Sequence, residues 1–357
     1  MALLASAKRK PRETVAELET FGVGILGAGE AAGEYVKAFR DHSAAEIVGL
    51  YSPTPGSGAG LLEQHGVQAR AYARAGELFE DERVQIVVSA TPPDVRPDHA
   101  VLAAETGRHL VIEKPVALDM ASVRRIRDAV AKAGVKTVTS FVLRWNPQFV
   151  TLRKLVDDGL LGELLYAEAD YWNPSDPASP MSWRETRERG GGAFVEGGCH
   201  AVDAIRYLGG EIADVVAFSS PARRDHTYEF DPVVVASVRF ENGAVGKLSA
   251  VVDADAPYTF NVRLLGSSGS IQNNRVYSSE RYPGVQDYWE FPTISPDRDD
   301  VAHHPFAAEI AHFMDCIAND VESHASIHDS YRTMAVVFAI QASLAAGGQP
   351  MRVDDLL

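Results

Sequence analysis

The chain has 357 residues, of which 46% are hydrophobic and 23% charged, and its formal net charge is −15. This charge argues against a nucleic acid or an anionic membrane as a partner, because either would require a basic surface. At about 150 residues per domain, the length predicts two domains.

Residues 1–20 are predicted to form a disordered or loosely attached leader. They contain the basic cluster "KRKPR", and the apolar "ALLASA" before it is too short for a signal-peptide core. No apolar run in the sequence approaches the ~20 residues of a membrane span. The two cysteines, Cys199 and Cys316, form no C-x-x-C pair and cannot supply a four-ligand zinc site. Two free thiols without an export signal predict a cytoplasmic protein.

Residues 21–143 alternate strand-like and helix-like segments. We expect strands at 21–26, 45–51, 84–91, 109–114 and 136–142. Helices are expected after the first and the fourth strand, the later one with Asp119 near its N-terminus and Gly134 at its C-cap. Strands separated by helices form right-handed β-α-β units. The segment is therefore predicted to be an α/β Rossmann domain with a parallel sheet.

A glycine turn follows the first expected strand. Gly27-Ala28-Gly29-Glu30-Ala31-Ala32 fits the pattern G-x-G-x-x-A between a strand and a helix. Gly27 permits the tight turn, Gly29 lets the backbone approach a pyrophosphate, and Ala32 allows close helix packing. The helix N-terminus then faces the phosphates. The pattern predicts a dinucleotide-binding turn, with a structural turn that binds no ligand as the alternative.

The end of the second strand selects between NAD and NADP in such a domain. An acidic residue there binds the ribose 2′-hydroxyl, whereas an arginine accommodates a 2′-phosphate. This chain has Ser52 instead, and no cation follows it before Arg70. The hydroxyls of Ser52 and Thr54 can serve a ribose but offset a phosphate charge poorly. We therefore predict NAD(P) as the cofactor, with NAD favoured over NADP.

The strand at 109–114 ends in two charged residues, Glu113 and Lys114, which Pro115 follows. One interpretation is a solvent-exposed ion pair at the end of a strand. The other is a ligand site, because parallel sheets bind ligands beyond the carboxyl ends of their strands.

Residues 144–357 show a different pattern. Strand-like runs begin at 164, 215, 233, 244 and 258, and "FENGAV" predicts a hairpin turn. Two helices are expected at 305–319 and 328–346 to complete this half. The pattern predicts an α+β domain for substrate binding and oligomerisation. We expect it to contain a large, mostly antiparallel, open-faced sheet with helices on one face.

Several motifs occur together from about Phe21 onward. They are "GILGAGEAAG", "SATPP", "VIEKPVAL", "LRWNPQF", "GLLGELLYAEADY", "GGGAFVEGGCHAVDAIRYLGG" and "HHPFAAEIAHFMDCI". In combination they resemble the Gfo/Idh/MocA family of NAD(P)-dependent sugar and polyol dehydrogenases. E-K-P followed at this distance by a glycine-rich segment and a carboxylate-x-x-x-His makes the resemblance specific.

The resemblance implies roles for four residues. Lys114 would be the polar catalyst beside the nicotinamide and the substrate hydroxyl, and Glu113 would help to hold Lys114 or the nicotinamide ribose. The turn would be fixed by a cis bond before Pro115. His200 would accept the proton of the substrate hydroxyl. Glu196 stands where the family usually has Asp, and it would orient His200 or contact the substrate.

Other interpretations of the segment around His200 remain open. We expect Gly197-Gly198 to begin a helix, which leaves Glu196 on the entering loop. His200 could instead be a structural histidine paired with Asp203. A further alternative is a metal site formed by Glu196, His200 and Asp203 together with the His303-His304 pair. Hydride transfer needs no metal, so we predict none.

The predicted binding residues fall into two groups. The cofactor-binding residues are Gly27, Ala28, Gly29, Glu30, Ala31, Ser52, Thr54, Thr91, Pro92, Glu113 and Lys114. The substrate-binding residues supply aromatic faces and charge-assisted hydrogen bonds to sugar hydroxyls, and they are Arg144, Trp145, Tyr171, Trp183, Arg184 and His304.

The resemblance implies an NAD(P)-dependent dehydrogenase that transfers hydride between nicotinamide and a secondary alcohol of a sugar, glycoside or cyclitol. One alternative is an enzyme that cleaves a glycosidic bond with transient oxidation by bound NAD. The other is a dinucleotide or sugar sensor without catalytic activity. The uncovered sheet face also predicts a homo-oligomer, either a dimer or a tetramer.

Overall fold

A computed structural model describes residues 20–174, 182–221, 228–296 and 304–357. Residues 1–19 of the predicted leader and His303 lie outside the described residues. Among the residues described, no helix has both the length and the apolar character needed to cross a membrane. Cys199 and Cys316 are buried free thiols.

The first half of the chain forms a six-stranded parallel sheet in the order β3-β2-β1-β4-β5-β6. The strands are β1 Phe21–Leu26, β2 Ala45–Tyr51, β3 Arg70–Tyr72, β4 Ile86–Ser89, β5 His109–Ile112 and β6 Thr137–Thr139. The helices between them are α1 Glu30–Arg40, α2 Ser57–Gln64, α3 Ala75–Glu80, α4 Arg96–Glu105 and α5 Met120–Ala133. The strand order reverses between β1 and β4, and this reversal opens a crevice for a ligand at their carboxyl ends.

Local signals explain the helices that the sequence predicted in this half. The side chain of Asp119 accepts a hydrogen bond from the Ser122 amide at 2.7 Å and so caps the start of α5. Gly134 ends α5 with a φ of +68°. By contrast, β3 and α2 to α4 were not among the expected elements, because their short apolar runs carry little periodicity.

The second half forms a nine-stranded sheet in the order β14-β13-β12-β11-β7-β10-β9-β8-β15. The strands are β7 Leu164–Trp172, β8 Ile212–Ser220, β9 Val233–Phe240, β10 Val245–Val251, β11 Thr259–Gly266, β12 Ser270–Gln272, β13 Arg275–Tyr277, β14 Trp289–Glu290 and β15 Met351–Arg352. The helices are α6 Pro147–Asp157, α7 Cys199–Gly209, α8 Phe306–Ala318 and α9 Ile327–Ala345. All pairs are antiparallel except β7 with β10, which confirms the predicted fold class.

The two faces of the second sheet differ in character. Helices α7 and α9 pack on one face, where alternate residues of β9 such as Ala236 and Val238 are buried. We call the opposite side, which exposes Phe218, Val235 and Val245, the open face. An open-faced sheet is therefore confirmed.

Helix α8 packs differently from the expectation. It was expected to complete the second half, but its buried side chains Phe306, Ile310 and Phe313 share a core with Val23 and Ile25 of β1. The chain thus returns to the first sheet in its C-terminal part, where α8 packs against α1. This return places residues of α8 beside the carboxyl ends of β5 and β6.

Candidate active site

A cavity of about 880 Å³ lies at the carboxyl ends of the first sheet and is closed by residues from the second half. Every residue predicted to bind the cofactor lines this cavity, from the glycine turn to Lys114. The catalytic candidates Glu196 and His200 line it as well. Tertiary structure therefore brings together side chains that the sequence separates widely.

The glycine turn has the geometry that a pyrophosphate requires. Gly27 has a φ of +110°, and a Cβ on it would lie 2.5 Å from the carbonyl oxygen of Ala90. Gly29 is the N-cap of α1, and the space where its Cβ would stand is open to 4 Å. Backbone amides at a helix N-terminus with open space before them suit an anion. The residues present fit a dinucleotide.

The end of β2 carries hydroxyl groups and no cation. Ser52 accepts a hydrogen bond from Ser57 at 2.8 Å. Arg70, the first arginine or lysine after Ser52, forms an ion pair with Glu77 at 2.7 Å. A 2′-phosphate at Ser52 would therefore lack the arginine partner that NADP-binding domains provide.

Glu113 and Lys114 do not form a solvent-exposed pair with each other, so that interpretation is wrong. Glu113 is buried, and its Oε1 accepts a hydrogen bond from the Tyr35 hydroxyl at 3.2 Å. Lys114 extends across the cavity, where its Nζ donates to the carbonyl oxygen of Glu196 at 3.0 Å. The Lys114–Pro115 peptide bond is cis, as the resemblance implied.

Glu196 lies on a π-helical turn, Phe194–Gly198, and not on the expected loop. Hydrogen bonding from residue i to i+5 widens such a turn, and π-turns occur often at functional sites. Gly197 is required there because a Cβ on it would lie 2.2 Å from the Tyr171 ring. The turn presents the Glu196 carbonyl oxygen to Lys114.

His200 follows on the first turn of α7 and is buried beneath the cavity. Burial, followed by the positive charges of Lys114 and His304, holds the pKa of His200 well below its usual range. Its Nδ1 has no hydrogen-bond partner among the residues described, and its ring stacks at 6.1 Å on Tyr171. The imidazole is therefore neutral at neutral pH and able to accept a proton.

The structural alternative for His200 required a pair with Asp203, but the Asp203 carboxylate has other partners. Both oxygens of the Asp203 carboxylate accept from Arg144, at 2.8 Å from Nε and 2.6 Å from Nη2. Thr333 also donates to this carboxylate at 3.0 Å.

Two of the predicted substrate residues lie elsewhere. Arg144 is only 3% exposed, and it pairs with Asp203 and Asp329 beneath the cavity floor. Trp145 packs against the rings of His312 and His324, at 5.4 Å and 5.0 Å between ring centroids. A short helical turn after β6 directs Val142 and Leu143 into the cavity and turns the next two side chains away from it.

The remaining predicted substrate residues, Tyr171, Trp183, Arg184 and His304, all line the cavity. The Arg184 guanidinium stands over the Trp183 ring at 5.5 Å. Its Nε lies 3.8 Å from a carboxylate oxygen of Glu196. Glu196 thus faces Arg184 with its side chain, and its carboxylate makes no hydrogen bond to Nδ1 of His200.

The sequence did not reveal Arg96, a buried residue at the start of α4. Its guanidinium donates to the carbonyl oxygens of Pro115 and Thr91 and so joins two loops of the cavity. The segment "PDVRPDHA" gives no sign of a helix with a buried arginine, because only long-range contacts create this role. Within the described ranges, no three His, Cys, Asp or Glu side chains are grouped to hold a metal.

Comparisons with known proteins agree with this architecture. A family model described as "Oxidoreductase family, NAD-binding Rossmann fold" matches residues 21–141, and one described as "GFO/IDH/MocA C-terminal domain" matches residues 149–272. Levoglucosan dehydrogenase of Pseudarthrobacter phenanthrenivorans is 29% identical over 58% of this chain and 59% of its own length. Inositol 2-dehydrogenase of Rhizobium meliloti is 27% identical over 91% of this chain and 97% of its own length.

A solved structure of levoglucosan dehydrogenase, in complex with NADH and levoglucosan, superposes with a TM-score of 0.84 and 23% sequence identity. The superposition covers 94% of this chain and 100% of that one. At this level of identity it establishes the fold.

Proposed function

The chain belongs to the Gfo/Idh/MocA oxidoreductase family, and on this basis we propose that it is an NAD-dependent dehydrogenase of a sugar, glycoside or cyclitol. The observation that carries the proposal is the meeting of Lys114 and a neutral, buried His200 at one cavity that also contains the glycine turn. Relatives named as levoglucosan and inositol dehydrogenases support this substrate class.

The cofactor would be held by this chain's own residues at one end of the cavity. The turn at Gly27 and Gly29 would bind the pyrophosphate, and Ser52 and Thr54 would serve the adenosine ribose. Thr91, Pro92 and the E-K-P segment line the other end. When bound, NAD supplies the hydride acceptor for the alcohol carbon. The absence of an arginine at Ser52 supports NAD over NADP.

The protein would supply the proton chemistry. Oxidation of a secondary alcohol releases a hydride from carbon and a proton from oxygen. His200 would accept this proton, since its imidazole is neutral. The Lys114 ammonium would donate a hydrogen bond to the substrate oxygen in place of its contact with the Glu196 carbonyl. Holding two such groups against one hydroxyl raises the rate because both act on the charge that develops there.

The substrate would lie against Tyr171, Trp183, Arg184 and His304. Sugar C–H faces pack on aromatic rings, and Arg184 can make charge-assisted hydrogen bonds to hydroxyls. The carboxylate of Glu196 would share Arg184 with the substrate, because the longer Glu side chain reaches toward Arg184 at 3.8 Å.

We expect Gly29→Val to abolish dinucleotide binding without unfolding the protein. No atom lies within 4 Å of the position of a Cβ at Gly29, so the new side chain would occupy only the phosphate site. Gly27→Ala is the contrasting variant, because its positive φ and the contact with Ala90 should destabilise the fold itself. NADH titration and thermal melting separate the two effects. Unchanged NADH affinity in Gly29→Val would contradict the assignment.

The depressed pKa of His200 predicts the shape of the pH profile. Because the base is already neutral below its ordinary pKa of about 6.5, kcat/KM should show no acid limb near that pH. An NMR titration of the His200 ring should likewise show a pKa below the ordinary value for histidine. Lys114→Met removes a neighbouring positive charge and should raise the pKa of His200 in that titration. An imidazole that titrates at its ordinary pKa in the native protein would contradict this arrangement.

The function itself is tested by incubating the protein with NAD and a panel of anhydrosugars, inositols and sugars while NADH absorbance is followed. Net NADH formation supports the dehydrogenase. Bond cleavage with retained cofactor and no net NADH would favour the glycoside-cleaving alternative. Binding of NAD and sugar without any turnover would favour the sensor.

We also propose that a second copy of the chain covers the open face of the second sheet. Phe218 and Val235 are 66% and 42% exposed there, which is unusual for neighbouring apolar side chains on a soluble surface. A homodimer or tetramer would bury them. Sedimentation of the native protein should show an oligomer, and Val235→Glu should dissociate it. A native monomer at micromolar concentration would refute this proposal.

We further propose a cytoplasmic location, which is consistent with two free thiols.

A further inference from the structure

A buried chain of polar side chains runs from the E-K-P segment into α8. The Tyr35 hydroxyl lies 3.2 Å from Oε1 of Glu113 and also contacts the Ser140 hydroxyl. The Ser140 hydroxyl in turn lies 2.8 Å from Oε1 of Glu309. Four groups thus make three consecutive oxygen–oxygen contacts.

The number of hydrogens shared by these four side chains indicates whether one of the carboxyl groups is protonated. Each of the three contacts needs one hydrogen between its oxygens, and the hydroxyls of Tyr35 and Ser140 supply only two. If Glu113 and Glu309 were both ionised, two oxygens would face each other in a buried site with only lone pairs between them. A proton on one of the two carboxyl groups supplies the third hydrogen and satisfies all three contacts.

Burial assigns this proton to Glu309. Its side chain is fully buried, and its Oε2 has no hydrogen-bond partner among the residues described. A charged carboxylate with one unsatisfied oxygen would be costly there. Glu113, by contrast, reaches the cavity. Burial, with a contribution from the charge of Glu113, raises the pKa of Glu309 to about 8.

We propose that Glu309 is a protonated carboxylic acid in the working protein and serves as a positioning residue for Glu113. It donates to Ser140, Ser140 donates to Tyr35, and Tyr35 donates to Glu113, so all three hydrogen bonds point toward the cavity. This order fixes the orientation of the Glu113 carboxyl group beside Lys114. The part of this proposal that concerns catalysis rests on the dehydrogenase function proposed above, whereas the protonation of Glu309 does not.

The charged groups around this carboxyl allow a pH test. Tyr35 faces it from α1, Glu113 from the end of β5, and Arg96 lies beyond Glu113. Burial raises the pKa of Tyr35 well above its usual range and lowers that of Arg96 to about 10. Arg144, on the turn packed beneath α8, is paired with Asp203. Near pH 8, Glu309 is thus the member of this cluster expected to lose its proton.

Glu309→Gln is the matched variant, because its amide stays neutral and can still donate to Ser140. It should keep close to native kcat/KM at pH 7. As the pH rises through about 8, the native protein should lose activity because Glu309 loses its proton, whereas the variant should remain active. Tyr35→Phe removes the hydroxyl that joins Ser140 to Glu113 in this hydrogen-bonded series. It should lower kcat/KM by about tenfold or more, the factor expected for one hydrogen bond to a charged group.

Infrared spectroscopy reads the proton directly and needs no substrate. The native protein minus Glu309→Gln difference spectrum at pH 7 should contain the C=O stretch of a protonated carboxylic acid, and this band should disappear above about pH 8. Lack of the band at pH 7 would overturn the proposal even if dehydrogenase activity is found. A band without any dehydrogenase activity would refute the proposed function and leave the protonation of Glu309 standing. A large loss of activity in Glu309→Gln at pH 7 would refute the positioning role.

Discussion

Lys114→Ala and His200→Ala are each expected to lower kcat by about 10²–10⁴-fold, the range typical of general acid–base groups. Both side chains line the cavity. In the proposed mechanism they would act mainly on the charge that develops on the substrate oxygen, so kcat should fall far more than NAD affinity. Stopped-flow kinetics on a verified substrate, together with NADH titration, separates these two quantities.

The double variant makes this prediction sharper. Groups that act as a unit are not additive, so Lys114→Ala combined with His200→Ala should lose much less than the product of the single losses. Glu196→Gln is the control, because its backbone carbonyl still accepts from Lys114. It should retain more activity than His200→Ala if Glu196 only orients other groups. Near-normal turnover in either alanine variant would rule out the assigned roles.

Asp203→Ala is expected to destabilise the protein by ~3 kcal/mol, the lower end of the range for breaking a buried ion pair, because the buried Arg144 charge would lose its bidentate partner. Of its two carboxylate partners, the Arg144 guanidinium would then keep Asp329, whose side chain is one-third exposed, together with its hydrogen bond to the carbonyl oxygen of His324. Urea denaturation measures the loss. Replacing Arg144 with Met together with Asp203 by Leu should recover part of it, since apolar substitutes of a buried pair are often tolerated.

Substrate kinetics distinguish this structural role from the one that the sequence suggested for Arg144. At a temperature where the Arg144→Met variant remains folded, KM for the substrate should be close to native. A native-like stability with a strongly raised KM would instead restore Arg144 to the substrate site.

Much of the fold and cofactor end of the site could be predicted because the signals are local. β1, β2 and β7 have the bounds expected from their apolar runs. The glycine turn at Gly27 and Gly29 is a matter of backbone conformation and side-chain size at adjacent positions, which a short segment states completely. The charged end of β5 had to lie at the carboxyl edge once the sheet was parallel.

The residues that the sequence misjudged are those whose partners lie far away along the chain. The residues next to Arg144 in the sequence do not indicate whether its side chain faces a sugar or Asp203. Asp203 lies 59 positions further along the chain. The π-turn under Glu196 depends on the Tyr171 ring packing against Gly197, a contact that no helical periodicity records.

By itself, the sequence determined a Rossmann domain with a glycine turn and a second, open-faced sheet. Its resemblance to a known family made Lys114 and His200 candidates for proton transfer. Only the tertiary structure decided which arginine is buried as an ion pair, which carbonyl receives Lys114 and how α8 returns to the first sheet. Ser140 and Glu309 are 169 positions apart, yet they share a hydrogen bond. The physical reason is that backbone turns and apolar periodicity are written in neighbouring residues, whereas burial and protonation depend on every element that packs around a group.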